Sequence, residues 1–365
     1  MKRNHFFIII LLVTSSILSA QTRWDIGTFV KTKVNPVAGP DSTLTFYCPV
    51  KKEIIKWQKA DVFNPAAIVR DGKVYLLTRC EDDPSAAYAG RTSRIGISVS
   101  DDGIHFRKFK EPVLYPDNDE FKQYDYPGGC EDPRIAETPE GMYIVTYTAW
   151  NHKVPNLSIA ISKDLFHWQK KGPAFTKAYN GKFLNKPTKS GSIITRMVNE
   201  KQVVAKINGK YWMYWGEKFV NLAWSDNLWD WNPLLNDRGE LKRLIVPRSG
   251  KFDSKLTECG PPALVTDKGI LLFYNGKNAE DDNATGDVPR GTYSVGEVLF
   301  DLLNPEKVVE RSDTYILKPT LPHEKSGQYT AGTTFSEGLV YFDNKWFLYY
   351  GTADSFVGPA VSENK

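Results

Sequence analysis

The sequence predicts an all-β protein, and three observations support this fold class. Aromatic residues make up 13% of the 365-residue chain, and most of them stand in short runs rich in strand-forming side chains. Apolar residues at the 3.6-residue spacing of a helix are nearly absent. Turn residues separate the short runs at regular intervals, as is typical of sandwiches, barrels and propellers.

Two series of repeated segments indicate how these strands are arranged. One series pairs a Ser and an acidic turn with an aromatic residue, at 98–106, 160–168 and 223–231, about 60 residues apart. The other is a turn followed by an aromatic-rich strand, and its five copies begin at Asp71, Glu140, Asn208, Asp267 and Asp343. This period in an all-β chain predicts a five-bladed β-propeller. A β-sandwich with long loops is the alternative.

The amino terminus has the composition of a secretory signal peptide. Lys2 and Arg3 precede an apolar run from Phe6 to Val13, and small residues follow around Ser19 and Ala20. The run is too short to span a bilayer. We therefore expect residues 1–20 to be removed and residues 21–365 to form a single propeller domain, exported to the periplasm or secreted, without membrane insertion.

Composition argues against several classes of protein. The net charge is +4 and basic residues are scattered, so a nucleic-acid partner is not expected. The five histidines are not clustered, no Cys-x-x-Cys pair occurs, and no phosphate-binding glycine loop is found, so we expect neither a metal nor an organic cofactor. The sequence does not determine how the four cysteines pair, and these are Cys48, Cys80, Cys130 and Cys259. It does not determine the oligomeric state either.

Polar residues recur at the ends of the predicted inner strands. In a propeller these ends converge on a central channel, where carboxylates in a concave pocket are typical of a glycan-processing site. Each residue alone could equally cap a turn or form a surface ion pair. The residues at strand starts are Asn64, Asp132 and Glu258, and those at strand exits are Arg79, Glu217, Asn275 and Asp354.

The segment Gly128–Ile135, GGCEDPRI, contains the candidate catalytic acid. The two glycines are expected to let the chain turn into the channel. Pro133 is expected to hold the preceding residue, Asp132, in an extended conformation. We interpret Asp132 as the acid, with Glu131 and Arg134 as its supporting neighbours.

Together with FNPAAIV, SRIGISVSDDGIHF, GPPAL and YYGTAD, the motif CEDPRI resembles glycoside hydrolase family 130, the β-mannoside phosphorylases and mannosidases. The resemblance extends from about Phe63 to Asp354. It implies a five-bladed propeller, inversion of the anomeric centre and a mannose-containing oligosaccharide as substrate. It also implies that Asp132 is the general acid, whose proton passes through the 3-hydroxyl of the mannose. The residues that match the mannose subsite are Asn64, Arg79, Arg94, Lys189 and Asp354.

The sequence departs from the phosphate-using members of this family at three places. They have His-Arg where this chain has Glu217, a small residue where it has Glu258, and His where it has Asn275. A phosphate dianion needs cationic donors, and two glutamates would repel it. An inverting hydrolase instead needs a carboxylate base that activates water.

We therefore predict an inverting β-mannosidase with Glu217, Glu258 or both as the base. The β-1,2 linkage is implied by the resemblance alone. Three other functions stay open: a β-mannoside phosphorylase, a non-catalytic glycan-binding propeller, and a furanosidase propeller of the arabinanase type.

Overall fold

The computed structural model describes residues 26–86 and 90–363. The predicted signal peptide lies outside the described residues. Among the described residues strands dominate, and helical structure is limited to the single-turn helix α1 (Lys122–Asp125) and two 3₁₀ turns (Ala178–Gly181 and Pro322–Lys325). The all-β prediction is confirmed. None of the described helices has the length and apolar character needed to cross a membrane.

Most strands form five antiparallel groups that follow one another along the chain. Before them come β1 (Val30–Lys31) and the hairpin β2 (Phe46–Cys48) and β3 (Glu53–Ile55). Group 1 contains β4 (Asp61–Arg70), β5 (Lys73–Glu81), β6 (Ser93–Ser100) and β7 (Arg107–Lys108). Group 2 contains β8 (Gly129–Glu137), β9 (Tyr143–Trp150), β10 (Pro155–Ser162) and β11 (Trp168–Pro173).

The remaining groups have the same order of antiparallel pairing. Group 3 contains β12 (Gly191–Val198), β13 (Lys201–Val204), β14 (Lys206–Ile207), β15 (Lys210–Trp215), β16 (Val220–Ser225), β17 (Trp231–Pro233) and β18 (Arg243–Ile245). Group 4 contains β19 (Leu256–Cys259), β20 (Ala263–Thr266), β21 (Gly269–Lys277), β22 (Tyr293–Phe300) and β23 (Val308–Arg311). Group 5 contains β24 (Phe335–Phe342), β25 (Lys345–Thr352) and β26 (Phe356–Glu363), with β1 as its last strand.

The groups pack against one another in a closed series. Five hydrophobic clusters lie between successive groups, including one between group 5 and group 1. Side chains alternate between two clusters along a strand: Leu76 packs toward group 5, whereas Leu77 packs toward group 2. Because both faces of each group are buried, apolar residues often occupy consecutive strand positions, as Leu76 and Leu77 do. The first strand β4 contacts both β24 and β8, so the strand starts lie around a common centre.

Both repeat series occupy equivalent places in the fold. The five copies of the second series form β5, β9, β15, β21 and β25, the strands that pair with the first strands. In the first series, Ser100 and Ser162 end the strands β6 and β10, and their hydroxyls lie 2.9 Å and 3.1 Å from the acidic turn residues Asp102 and Asp164. The repeats therefore marked real strand boundaries.

The four cysteines are buried and unpaired. Cys80 and Cys130 lie on the strands β5 and β8, inside hydrophobic clusters. Burial raises the pKa of the Cys80 thiol to about 11, so the thiol is uncharged at neutral pH. These thiols contribute apolar packing rather than cross-links.

Glu297, on β22, gives the fold a pH-dependent stability. Burial alone raises the pKa of its carboxyl group to about 8. Because the folded pKa lies above the unfolded value near 4.5, the stabilising contribution is complete below pH 4.5 and is lost as the pH rises through 8. Glu297→Gln cannot ionise, so its effect on the free energy of unfolding is expected to be about 3.5 kcal/mol more favourable at pH 8 than at pH 5. Denaturant titrations at the two pH values measure this, and an equal effect at both would contradict it.

Candidate active site

Asp132 lies buried at the start of β8, where the strand register shifts between Glu131 and Arg134. Its φ is 50°, so the expectation that Pro133 holds it in an extended conformation is wrong. The two-residue bulge and the contacts of the side chain fix this left-handed backbone despite the proline. Gly129 has a φ of 110°, and a Cβ there would lie 2.0 Å from the Ser93 carbonyl oxygen, so the predicted need for glycine is confirmed.

Three predicted residues surround the carboxylate of Asp132. Asn64 donates its amide N–H to Oδ1 over 2.9 Å, and Arg79 contacts the same oxygen over 3.1 Å. Lys189 Nζ lies 3.8 Å from the other oxygen, Oδ2. Burial raises the pKa of Asp132, but Arg79, Lys189 and the Asn64 hydrogen bond outweigh burial and lower the pKa to about 2. The side chain is therefore ionised in the free protein.

Arg79 also contacts two glutamates. Its Nη2 lies 2.7 Å from Glu81 Oε1 and 2.9 Å from Glu131 Oε1. Burial and the charge of Asp132 raise the pKa of Glu131 to about 7, although Arg79 opposes this rise. Burial and the neighbouring charge of Asp132 therefore favour the neutral form of Glu131, and the two adjacent carboxyl groups titrate as a coupled pair.

Asp354 joins this cluster from the end of group 5. Burial, with the charges of Asp132 and Glu81, raises the pKa of Asp354 to about 7, although Arg79 lowers it. Its φ of 52° matches the left-handed backbone of Asn64 and Asp132, which have φ values of 48° and 50°. The structure thus brings together Asn64, Arg79, Asp132 and Asp354 as the sequence predicted.

The candidate bases lie on the other side of Lys189. The Gly216 N–H donates to the Lys189 carbonyl over 3.0 Å, and the Cys259 N–H contacts the Gly216 carbonyl over 3.4 Å. These contacts place Glu217 and Glu258, the neighbours of Gly216 and Cys259, beside the same lysine. Gly216 has a φ of 125°, and a Cβ there would lie 2.3 Å from the Phe219 carbonyl oxygen. Only glycine permits this turn without strain.

Glu217 and Glu258 have different surroundings. Glu258 is only 3% exposed and accepts a hydrogen bond from the Ser190 hydroxyl, whereas Glu217 is exposed. Burial and the charge of Glu217 raise the pKa of Glu258 to about 7, against the opposing effect of Lys189. Burial lowers the pKa of Lys189, but Glu217, Glu258 and Asp132 together raise it well above its usual value. Lys189 is therefore a permanent cation between the two carboxylate clusters.

A cavity of about 810 Å³ opens next to Lys189 and Glu217. Its walls come mainly from the segments 182–189, 215–221 and 236–243 and include Trp215, Phe219 and Arg243. Trp215 is buried and its indole nitrogen has no hydrogen-bond partner among the described residues. The cavity is large enough for more than one sugar ring.

The structure does not bring Arg94 or Asn275 to Asp132. Arg94 lies opposite Cys80 on β6, and its guanidinium donates to Asp82 and to the Thr92 carbonyl over 3.0 Å each. The contact of Arg94 with mannose stays a prediction, and in the protein its guanidinium contacts Asp82 and Thr92 instead of Asp132. Asn275 is fully buried, and its side chain bonds Ser336.

Three further residues near the site were not predicted as site residues. Ser190 binds Glu258, and Glu81 binds Arg79. Glu337 is completely buried on β24, 3.0 Å from Arg134. The register of β24, which places Glu337 beside Arg134, depends on a bulge that no local sequence signal indicated.

The arrangement of these groups defines a class of protein. The carboxyl groups of Glu131, Asp132, Glu217 and Glu258 all interact with Lys189, and Lys189 and Glu217 line the cavity. Carboxyl groups gathered around one cation beside a cavity are suited to the acid and base steps of glycoside cleavage. No group of three or more potential metal ligands of the types His, Cys, Asp and Glu occurs among residues 26–86 and 90–363. The site is that of a glycoside-processing enzyme.

Comparison with known proteins agrees with this class. The family model described as beta-1,4-mannooligosaccharide phosphorylase, glycoside hydrolase family 130, matches residues 31–364, so the chain belongs to this family. A 1,2-beta-oligomannan phosphorylase of Thermoanaerobacter sp. (strain X514) is 32% identical over 314 residues, which cover 85% of this chain and 92% of the relative.

Two solved structures are more similar in sequence. A glycosyl hydrolase from Bacteroides ovatus is 51% identical, with a TM-score of 0.91 and coverage of 93% of this chain and 95% of that chain. Another is 50% identical, with the same TM-score and coverage. The description of that structure says that the GH130 family of mannoside phosphorylases contains glycoside hydrolases that target beta-1,2 mannosidic linkages in Candida mannan.

Proposed function

We propose that this protein is an inverting glycoside hydrolase that cleaves β-mannosides, with β-1,2-linked mannose as the preferred substrate. The observation on which this rests is Glu258, a buried carboxylate beside Lys189 with a second carboxylate, Glu217, next to it. A phosphate dianion placed beside Lys189 would meet both of these acidic side chains, which repel it. Water, in contrast, needs a carboxylate that can accept its proton.

In this mechanism Asp132 is the general acid. Asn64 and Arg79 fix its Oδ1, which leaves Oδ2 facing Lys189 for proton exchange with the sugar. Glu131, whose pKa is raised to about 7, is the proposed source of the proton that Asp132 takes up when a bound mannose separates Lys189 from the carboxylate. Asp132 then protonates the mannose 3-hydroxyl, which passes its own proton to the glycosidic oxygen.

Glu258 is the base that receives a proton from the attacking water. Its Oε1 is held by Ser190, so its orientation is fixed before the substrate binds. Glu217, at the edge of the cavity, holds the same water from the solvent side. Because water attacks from the face opposite the leaving group, the anomeric configuration inverts.

The substrate extends from the mannose beside Asp132 into the neighbouring cavity. Asp354 and Asn64 offer hydrogen-bond groups to the mannose hydroxyls at the closed end. The cavity of about 810 Å³ next to Glu217 gives room for further sugars or for the entering water. The relatives named as acting on 1,2-beta-oligomannan or on beta-1,2 mannosidic linkages support this substrate class.

The proposal includes the architecture and location of the enzyme. Five antiparallel groups in a closed series, with first strands around a common centre, support a five-bladed propeller formed by residues 21–365 as a single domain. The composition of residues 1–20 supports export. Export favours hydrolysis, because a sugar phosphate released outside the cell would escape intracellular metabolism.

Incubation of the protein with β-1,2-mannobiose tests the proposed reaction. We expect free mannose as the only product, formed at the same rate with and without inorganic phosphate. In NMR spectra, the mannose released from the non-reducing end should appear initially as the inverted α-anomer. β-1,4-Mannobiose, tested in parallel, measures the linkage preference.

Three other results would each contradict the proposal. Mannose 1-phosphate formed only in the presence of phosphate would identify a phosphorylase. A retained anomer would exclude the inverting mechanism. Binding of mannobiose without turnover would identify a glycan-binding protein, and cleavage of arabinan instead would identify a furanosidase.

A further inference from the structure

Arg134 connects the two catalytic sides of the site through backbone contacts. Its Nη1 donates to the Asp132 carbonyl over 2.8 Å. Its Nη2 donates to the Cys259 carbonyl over 2.8 Å, and its Nε donates to the Gly260 carbonyl over 3.1 Å. The guanidinium is only 1% exposed. One rigid side chain thus fixes the backbone of the acid and the backbone that follows Glu258.

Glu337 lies at the end of this connection. Its Oε1 lies 3.0 Å from Arg134 Nη2, an ion-pair contact, while neither carboxyl oxygen has a hydrogen-bond partner among the described residues, and the side chain is completely buried. β24 shifts register between Ser336 and Gly338, which leaves Glu337 at the bulge. The register of β4 shifts around Asn64 and that of β8 shifts around Asp132. Glu337 therefore occupies in group 5 the place that Asn64 and Asp132 occupy in groups 1 and 2.

Asn275 fixes the bulge that presents Glu337. Its Oδ1 accepts the N–H of Ser336 over 2.7 Å and the Ser336 hydroxyl over 3.1 Å, and its Nδ2 donates to the Ser336 carbonyl over 3.0 Å. All of these groups are buried. A chain of contacts therefore links group 4, through Asn275 and Ser336, to Glu337 and then to Arg134.

We propose that Glu337 is a positioning residue which, through Arg134, holds the acid Asp132 and the base Glu258 at a fixed separation. This rests on the acid and base roles assigned under the proposed function. Burial raises the pKa of Glu337 well above its usual value. Glu337 contributes to the site through the volume of its side chain and its close contact with Arg134, both of which glutamine can supply.

Paired substitutions at Glu337 separate this role from general destabilisation. Glu337→Ala is expected to lower kcat about 100-fold with KM changed less than threefold, because displacements of about 1 Å in the reacting groups have effects of this size. Glu337→Gln is expected to keep kcat within about threefold of the native value, because its amide group fills the same space and keeps the contact with Arg134. Glu297→Gln, a buried carboxyl substitution on the outer part of group 4, is the matched control and is expected to leave kcat unchanged.

Two results would overturn the proposal: native kcat in Glu337→Ala, or equal losses of kcat in Glu337→Ala and Glu337→Gln. If Glu337→Ala does not fold, Arg134→Lys provides the test. Lysine keeps the charge but cannot make the three carbonyl contacts, so we expect kcat to fall at least tenfold with an unchanged pH profile. A native kcat in Arg134→Lys would refute the positioning role.

Failure of the proposed reaction is distinguishable from failure of this inference. The acid Asp132 is required whether water or phosphate is the acceptor. If the native protein forms mannose 1-phosphate, hydrolysis is refuted, and the kcat of phosphorolysis in the same variants still measures the effect of Glu337.

Discussion

Asp132→Asn is expected to lower kcat/KM for β-1,2-mannobiose roughly 10³-fold, because general acid catalysis contributes about two to four orders of magnitude. The substitution is isosteric. The amide oxygen of the substituted side chain can still accept the hydrogen bonds from Asn64 and Arg79 that Asp132 Oδ1 accepts in the native protein. The loss should therefore reflect the missing proton and not a rearranged site.

A substrate with an activated leaving group tests whether Asp132 acts as the general acid. A 2,4-dinitrophenyl β-mannoside needs little protonation of its leaving oxygen, so Asp132→Asn should cleave it with a much smaller loss than mannobiose. Asp164→Asn, in an exposed repeat turn of group 2, is the control and should leave both rates unchanged. Equal losses on the two substrates would show that Asp132 is not the acid.

Glu258→Gln is expected to have an effect of the same size, roughly 10³-fold in kcat, because water loses its base. The pKa of Glu258 lies at about 7, raised by burial, and the base must be ionised. The native kcat/KM should therefore rise with pH toward 7, and this rise should disappear in Glu258→Gln. Glu217→Gln, at the exposed edge of the site, should lose only about tenfold.

Azide distinguishes a missing base from a damaged site. Azide attacks without giving up a proton, so it should restore turnover of Glu258→Ala on an activated mannoside and yield the inverted mannosyl azide. It should not restore Asp132→Asn on mannobiose. An unchanged pH profile in Glu258→Gln, with a larger loss in Glu217→Gln, would assign the base to Glu217 instead.

Local sequence signals predicted the fold class because strands and turns leave short-range patterns. The repeat turns at Asp71 and Asn208 have the positive φ values that tight hairpins require. Ser100 and Ser162 end equivalent strands because their hydroxyls contact the acidic turn residues Asp102 and Asp164. The closed packing of the five groups agrees with the repeat count, since each group buries both faces against its neighbours.

The site was predictable only as far as strand ends could be located. Asn64, Arg79 and Asp132 meet because they stand at equivalent ends of neighbouring strands. The side of the sheet on which a residue lies depends on register. In the strand register Arg94 lies opposite Cys80, so its side chain is on the other face of the sheet from that of Arg79. The spacing of residues in the sequence did not show this register. Glu337 was missed for the same reason, because a bulge shifts the register of β24 there.

The left-handed backbone at Asn64, Asp132 and Asp354 has a consequence for the evolution of this molecule. Each such conformation costs on the order of 1 kcal/mol for a residue other than glycine, and at Asp354 burial, which raises the pKa to about 7, adds to this cost. A descendant that loses the activity can therefore gain stability by replacing Asp354 with glycine, whereas at Asp132 the lost contacts with Arg79 and Lys189 oppose such a gain.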